Sequence, residues 1–449
     1  MLAMTHDARL LLIATLAIAG LVVLIARCRL PSFIALTVAS LFVGLCSGQD
    51  ALAITRSFAD GVGAVLGGIA LVIALGAVLG KMLAVSGGAE RIATTLLSAF
   101  GERWLPWTMA LVAFVVGLPV FFGVGLVLLL PLVLTVARQT RAPLLRFGLP
   151  LVAGLSVAHG LVPPHPGPIA AVGILQADMG KTIFYALLVG VPTVLVCGPL
   201  LGALLARRET VEPGGLAEQL SQAPARHNAP SFGLALLTVL LPVLLMLLAT
   251  VADVALAPGH TLRRWADWLG DPIMAMLVAV LFSFWSCGRA RGFDRRQLGR
   301  FSEECLAPVA AILLVVGAGG GFSHVLIASG VGDAVAQLAR NFGLSPLLLG
   351  WLAAALIRVA TGSATVAITT ASGLLAPIAA ATPGLNRELL VVALGAGSLI
   401  LSHVNDGGFW LVKEYLNLSV AQTLRTWSVI ETAISVTALA LVLALSLVV

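Results

Sequence analysis

The stretch SLILSHVNDGGFW, residues 398–410, places Ser402, His403, Asn405 and Asp406 together at the end of an apolar run, with Gly407-Gly408 behind them. A hydroxyl, an imidazole, an amide and a carboxylate in one place can bond substrate hydroxyls, hold an anion or carry a proton. The glycine pair predicts that a helix breaks here. A second cluster is GLSVAHGLVPPHPGPIAA. Pro163, Pro164, Pro166 and Pro168 cannot continue a helix, and His159 and His165 flank the break. The third is RVATGSATVA, where Arg358 precedes Thr361, Gly362, Ser363 and Thr365. A turn between two half-helices presents free N–H groups to an anion, although each hydroxyl also has the ordinary option of bonding back to its own helix. Arg358 has two options as well. It can grip a carboxylate with its planar fork, or it can pin the turn to a neighbour such as Asp406 or Glu414. A lone histidine such as His159 can also satisfy itself on a carbonyl, whereas a carboxylate at the depth of Asp406 is functional by default.

The elements that must position these groups lie in lipid. Hydrophobic residues make up 59% of the 449 and charged residues only 10%, against about 25% charged in soluble domains, and the mean hydropathy is +1.07. In lipid only helices or closed barrels satisfy the backbone. The apolar runs are Leu-, Ala- and Val-rich, close to helix-spanning length and without a short alternating pattern, so an all-α polytopic membrane protein is expected. The run from Ala8 to Ala26 lacks a small-residue cleavage site before Arg27-Cys28-Arg29 and reads as a retained first helix.

From Leu105 the chain carries no charge until Arg138, too far for one crossing of about 20 residues. Gly117, Pro119, Gly123 and Gly125 interrupt it, predicting a re-entrant hairpin over about residues 105–137 with its turn at Pro119–Gly125. A counterpart is expected over about 347–380, and broken helices over about 147–177 and 389–415.

The two halves lie on one another at a nearly constant offset: Pro31 on Pro272, Cys46 on Cys287, Ser86-Gly87 on Ser329-Gly330, Glu90 on Asp333 and His159 on His403. The order argues for duplication, with repeats at 1–206 and 232–449 joined by a polar linker at 207–231. Arginines cluster after the first helix, at 138–146, in the linker and at 289–300. Placing all four clusters in the cytoplasm leaves the N-terminus outside and the second repeat inverted, an arrangement of secondary transporters with the site near the midplane. About ten crossings, two re-entrant hairpins and two broken helices are expected.

Other chemistries fit less well. The five cysteines form no C-x-x-C pair, so neither disulfides nor a metal site is expected. GAGGGF (317–322) lacks the Lys-Ser/Thr of a phosphate loop and suits close helix packing. GVGD (330–333) matches part of an intramembrane aspartyl protease, but no second Tyr-Asp follows, which leaves a membrane enzyme as a remote alternative. The net charge of +6 belongs to loop arginines and does not point to nucleic acid.

The segments GKMLAVSGGAERIATTL, GLSVAHGLVPPHPGP with QADMGKT, RVATGSATVA and SHVNDGGFWLVKEYLNLS resemble the gluconate permease family, and the resemblance covers nearly the whole chain. It implies proton symport of gluconate or another small hydroxy or amino carboxylate, D-serine included, in a bacterial inner membrane. It also implies a homodimer in which a mobile domain carries two hairpins against a scaffold, with no cofactor besides protons. Two departures stand out. The family has an acid after its aromatic pair, whereas here Gly123 follows Phe121-Phe122, and Ser323-His324 replaces the family's Lys-Gln. Without that acid, substrate binding is expected to persist and proton coupling to weaken. The expected substrate contacts are Phe122, His159, Pro164 and His165 from the first half. From the second half they are Thr361, Gly362, Ser363, Thr365, Asn405 and Asp406. Gly123, Arg358 and Asp406 are the positions that bear on charge and proton coupling.

Overall fold

A computed structural model describes residues 6–209, 211, 228–257, 259–331, 334 and 345–449. Most of the expected linker and Asp333 of the GVGD motif lie outside the described residues. The described chain is helical, with no strand among the described residues. The first half runs α1 (His6–Ala26), α2 (Ser32–Cys46), α3 (Ala51–Ser86), α4 (Gly88–Phe100), α5 (Leu105–Gly117), α6 (Phe122–Thr140), α7 (Leu145–Leu161), α8 (Pro166–Leu175), α9 (Met179–Leu195) and α10 (Leu201–Ala206). The second runs α11 (Phe232–Ala255), α12 (Thr261–Gly270), α13 (Pro272–Ser283), α14 (Arg295–Glu303), α15 (Leu306–Ala328), α16 (Pro346–Thr361), α17 (Ala364–Ala381), α18 (Arg387–Gly397), α19 (Gly407–Tyr415) and α20 (Val420–Leu445). Among the described residues ten helical segments are long and apolar enough to cross a membrane. That number includes α6 and α17, each one arm of a helical pair, and the broken helix α7–α8. Exposed apolar side chains such as Leu248, Val251 and Val254 on α11 give the protein a surface suited to lipid.

Local chemistry explains the boundaries that matter for the site. Asp50 caps α3 by accepting from the amides of Leu52 and Ala53, and Gly87, at φ 76°, ends it in the left-handed region. The α5–α6 pair turns at residues 118–121, and α6 begins at Phe122. The turn is therefore tighter than the Pro119–Gly125 read from sequence. Gly123 and Gly125 lie inside α6, because glycine weakens a helix by only about 0.5–1 kcal/mol, whereas Pro119 lacks the N–H a helix interior needs. The α16–α17 pair turns at Gly362-Ser363, and Ser363 caps α17 by accepting from Val366 N. The proline run separates α7 from α8, and residues 398–406 separate α18 from α19.

The hydrophobic interior has a large part and a satellite. The satellite joins α1 and α2 to one face of α15. The large part holds most of the other helices, including both helical pairs and both broken helices. The GAGGGF run does what its small residues suggest. A Cβ on Gly61 of α3 would stand 2.5 Å from the Gly320 carbonyl oxygen, and a Cβ on Gly320 would stand 2.6 Å from that of Gly61. The two backbones meet at a distance that only glycine permits.

Candidate functional site

The site grows from one buried ion pair. Arg358, in the last turn of α16, directs Nη2 to the Asp406 carboxylate and Nη1 to the Gly362 carbonyl. Both charged side chains are largely buried, at 4% and 12% exposure. Asp406 also accepts from the Ser402 hydroxyl and from the Gly408 amide, at 2.8 Å, and so caps α19. Ser402 receives the Trp427 indole N–H of α20 at 2.7 Å, and its carbonyl accepts the Ser428 hydroxyl. One connected network thus ties the α16–α17 turn, the α18–α19 break and α20. Burying two charges is tolerable only with partners of this number and geometry. Of the two options open to Arg358 in the sequence, the structure shows the internal contact with Asp406. Its Nε is buried and has no protein partner.

The α7–α8 break carries a second relay. His165 Nε2 lies against the Gly117 carbonyl, and the Nδ1 atoms of His165 and His159 are 3.3 Å apart. A carbonyl only accepts, so His165 must carry its proton on Nε2. Its Nδ1 in the neutral ring is then a bare acceptor, which requires a proton on His159 Nδ1. With both rings neutral, His159 Nε2 is left as an acceptor, and His159 lines the central cavity.

That cavity has a volume of about 240 Å³. Arg358, Gly362, Ser363, Ala364, Thr365 and the α19 start Asp406-Gly407-Gly408 line it from the α16–α17 turn and the α18–α19 break. Phe122, Ser156, His159, Trp427 and Glu431 line it from α6, α7 and α20. The first turn of any helix leaves amides without intrahelical partners, and here the first turns of α17 and α19 both border the cavity. Their dipoles add to the pull of the guanidinium on an anion. Glu431 of α20 is 1% exposed and accepts a hydrogen bond from the Ser156 hydroxyl of α7.

The residues expected from sequence divide accordingly. Phe122, His159, Gly362, Ser363, Thr365, Arg358 and Asp406 border the cavity. Pro164 and His165 border a separate crevice of about 10 Å³ beside Pro119 and Phe121, and His165 touches the cavity only through His159. Thr361 bonds back to the Ile357 carbonyl of its own helix, at 2.8 Å. Asn405 points away, donating to the carbonyls of Val359 and Ala360 at 2.9 and 3.4 Å. It closes the C-terminus of α16, where unpaired carbonyls need donors. Gly123 lines a different cavity, larger at about 680 Å³ and mostly apolar, between α3, α6 and α15. Ser402 stands in the polar cluster at 398–410, but Glu431, Ser156 and Trp427 are not among the residues expected from sequence. For Glu431 a signal existed: a single acid within the apolar run of α20.

Comparison with known proteins covers the same length. The model of the GntP family permease matches residues 9–448. A gluconate permease of Pseudomonas aeruginosa is 54% identical over 449 residues and covers 100% of both chains. The Gnt-II system L-idonate transporter of Escherichia coli is 42% identical over 436 residues, covering 97% of this chain and 99% of its own. The crystal structure of the Alcanivorax borkumensis YdaH transporter, described as having an unusual topology, superposes with a TM-score of 0.62 at 19% identity, over 92% of this chain and 98% of that one. At that identity the likeness is one of fold.

Proposed function

The chain belongs to the GntP permease family, and from that premise we propose that it carries gluconate, or a close sugar-acid relative, across the bacterial inner membrane by proton symport. It is a multi-pass membrane permease and not an enzyme. The observation that carries the substrate reading is the meeting of Arg358 with the first turns of α17 and α19 at one small cavity. A carboxylate seats against that positive side. The sugar hydroxyls then face the other side, where His159 Nε2 and Glu431 accept and Ser156 is at hand. At about 240 Å³ the cavity is below the usual range of about 300–1,000 Å³ for drug-sized ligands, and it suits a six-carbon acid.

L-idonate is the second reading, favoured by the 42% identical relative named for it. The transport cycle is alternating access of the elevator kind, with two inverted repeats, two re-entrant hairpins and a homodimeric scaffold. The arginine-rich loops support a cytoplasmic linker and a periplasmic N-terminus. The test is counterflow in proteoliposomes preloaded with unlabelled gluconate, L-idonate or D-serine. Labelled gluconate should enter against gluconate and L-idonate and fail to enter against D-serine. Absence of gluconate exchange in a well-folded protein defeats the reading.

A further inference from the structure

We propose that Glu431 is the group that carries the coupling proton. This rests on the reading above, that the cavity takes a small monoanion. Its ground is a charge census of the cavity. Arg358 is paired with Asp406, and Glu431 has no ion-pair partner among the described residues. The acid therefore stands in the site with a hydroxyl for company and no cation of its own. A substrate monoanion entering the same cavity of about 240 Å³ adds a second uncompensated negative charge to it. Placing a proton on Glu431 removes that repulsion. By linkage the proton and the anion then favour each other's binding.

The rivals are placed differently. Asp406 receives Arg358, Ser402 and the Gly408 amide. Neutralising it would release the guanidinium and loosen the junction of α16, α19 and α20, so it serves the frame. His159 faces Glu431 from α7 and is held by His165, which in turn is held by the Gly117 carbonyl. Arg358 faces it from α16, and Asp406 from the start of α19. Cys197 lies further along α20, against Thr437. Lys413 and Glu414 of α19 pair with one another at 2.7 Å outside the cavity. Gly123, where the family's acid would stand, borders the other cavity. On this proposal the coupling carboxylate is supplied by α20, and coupling does not depend on an acid at position 123.

The proton count is simple. On the loading side the Glu431 carboxylate takes one proton from water and becomes a neutral acid, and one monoanion enters. On the release side the acid returns that proton to water and the anion leaves. No bond in the substrate changes. One proton and one monoanion carry no net charge, so a pH difference drives uptake and a membrane potential does not.

The experiment compares wild type with Glu431→Gln in proteoliposomes, measuring gluconate exchange, accumulation under an inward proton gradient and accumulation under a potassium diffusion potential. The ratio of gradient-driven accumulation to exchange should fall at least tenfold in Glu431→Gln, and the potential should leave wild-type uptake unchanged. Undiminished accumulation by Glu431→Gln, or potential-driven uptake by wild type, overturns the proposal. Loss of coupling in His159→Gln but not in Glu431→Gln assigns the proton to the histidine. Failure of wild-type exchange counts against the substrate reading alone, because an infrared arm needs no substrate. On acidification, the difference spectrum of wild type should contain a protonated-carboxyl band that Glu431→Gln lacks. Should Glu431→Gln not fold, Ser156→Ala decides, since removing the donor must shift that band. A band present in Glu431→Gln, or unshifted in Ser156→Ala, overturns the assignment.

Discussion

The α5–α6 and α16–α17 pairs occupy the same place in the order of their halves, each followed by a broken helix, yet their turns have opposite chemistry. The first turn is Leu118-Pro119-Val120-Phe121, packed with its Pro119 carbonyl against Gly80 of α3. It borders a mostly apolar cavity whose charged groups are the Lys81–Glu304 pair at 2.8 Å. The second turn is Gly362-Ser363, beside a cavity lined by an arginine, two acids and a histidine. The first pair gives the polar cavity no charged or hydroxyl group: it holds His165 through the Gly117 carbonyl and supplies the Phe122 ring to the cavity wall, 5.4 Å from Trp427. A similar chain path thus leaves binding chemistry to one pair and its support to the other.

The largest expected effect tests that asymmetry. Gly362 has φ 74°, and a Cβ there would stand 2.2 Å from the Asn405 carbonyl oxygen. Gly362→Ala should cost more than about 3 kcal/mol of stability and abolish transport. At Gly123 a Cβ meets only the Leu411 Cδ1 tip, at 3.1 Å, so Gly123→Ala should transport within about twofold of wild type, a difference of less than about 0.5 kcal/mol. Equal sensitivity of the two glycines, by uptake and thermal unfolding, would break the comparison.

Next in size is the ion pair. Asp406→Asn leaves Arg358 buried without its counter-charge and should lower stability by about 3–5 kcal/mol. An apolar double replacement of Arg358 and Asp406 should recover much of that stability while losing substrate affinity. Thermal unfolding in detergent separates the two outcomes, and a double variant no more stable than Asp406→Asn would show that the pair is not the clamp.

A smaller effect distinguishes support from contact. Asn405→Ala removes two donors from the end of α16 and should cost about 1 kcal/mol of stability, while the gluconate Kd stays within about twofold. Lost affinity at unchanged stability would return Asn405 to the substrate.

The smallest concerns the other cavity. Glu304 accepts from Lys81 and Arg300, which hold its carboxyl below the ordinary value of 4.5. Its contribution is complete above pH 4.5 and fades as pH falls through the lowered value. In Glu304→Gln that segment of the pH–stability curve should flatten slightly, and added salt should erase the difference. A large change in uptake would instead make this cavity part of the transport path.

Legibility in the sequence followed the range of the interaction. Pro163 and Pro164 break a helix by what they lack, Pro166 and Pro168 fall in the first turn of α8 where proline is tolerated, and Gly362 turns a chain by what it permits, so those sites are visible one residue at a time. The clamp was half visible: Asp406 was named as a partner of Arg358, but nothing local showed that Ser402 and Trp427 would complete it. The turn at 118–121 is shorter than the sequence suggests because Gly123 and Gly125, which elsewhere end helices, continue inside the first turn of α6. Asn405 and Asp406 are adjacent, and only the fold of the break shows that one faces carbonyls and the other the cavity. Glu431 and Ser156 lie on α20 and α7, far apart in sequence, and no spacing rule joins them.

Trp427 gives the molecule an optical property. Of its eight tryptophans this one is buried, at 2% exposure, whereas Trp104, Trp265, Trp268, Trp285 and Trp410 are all exposed. Its indole lies at the wall of the polar cavity, tied to Ser402 and stacked near Phe122. Its emission should lie to the blue of the others, apart from quenchers in water. With the other seven changed to phenylalanine, the remaining fluorescence would report cavity occupancy directly, so that titrations could be read without a label.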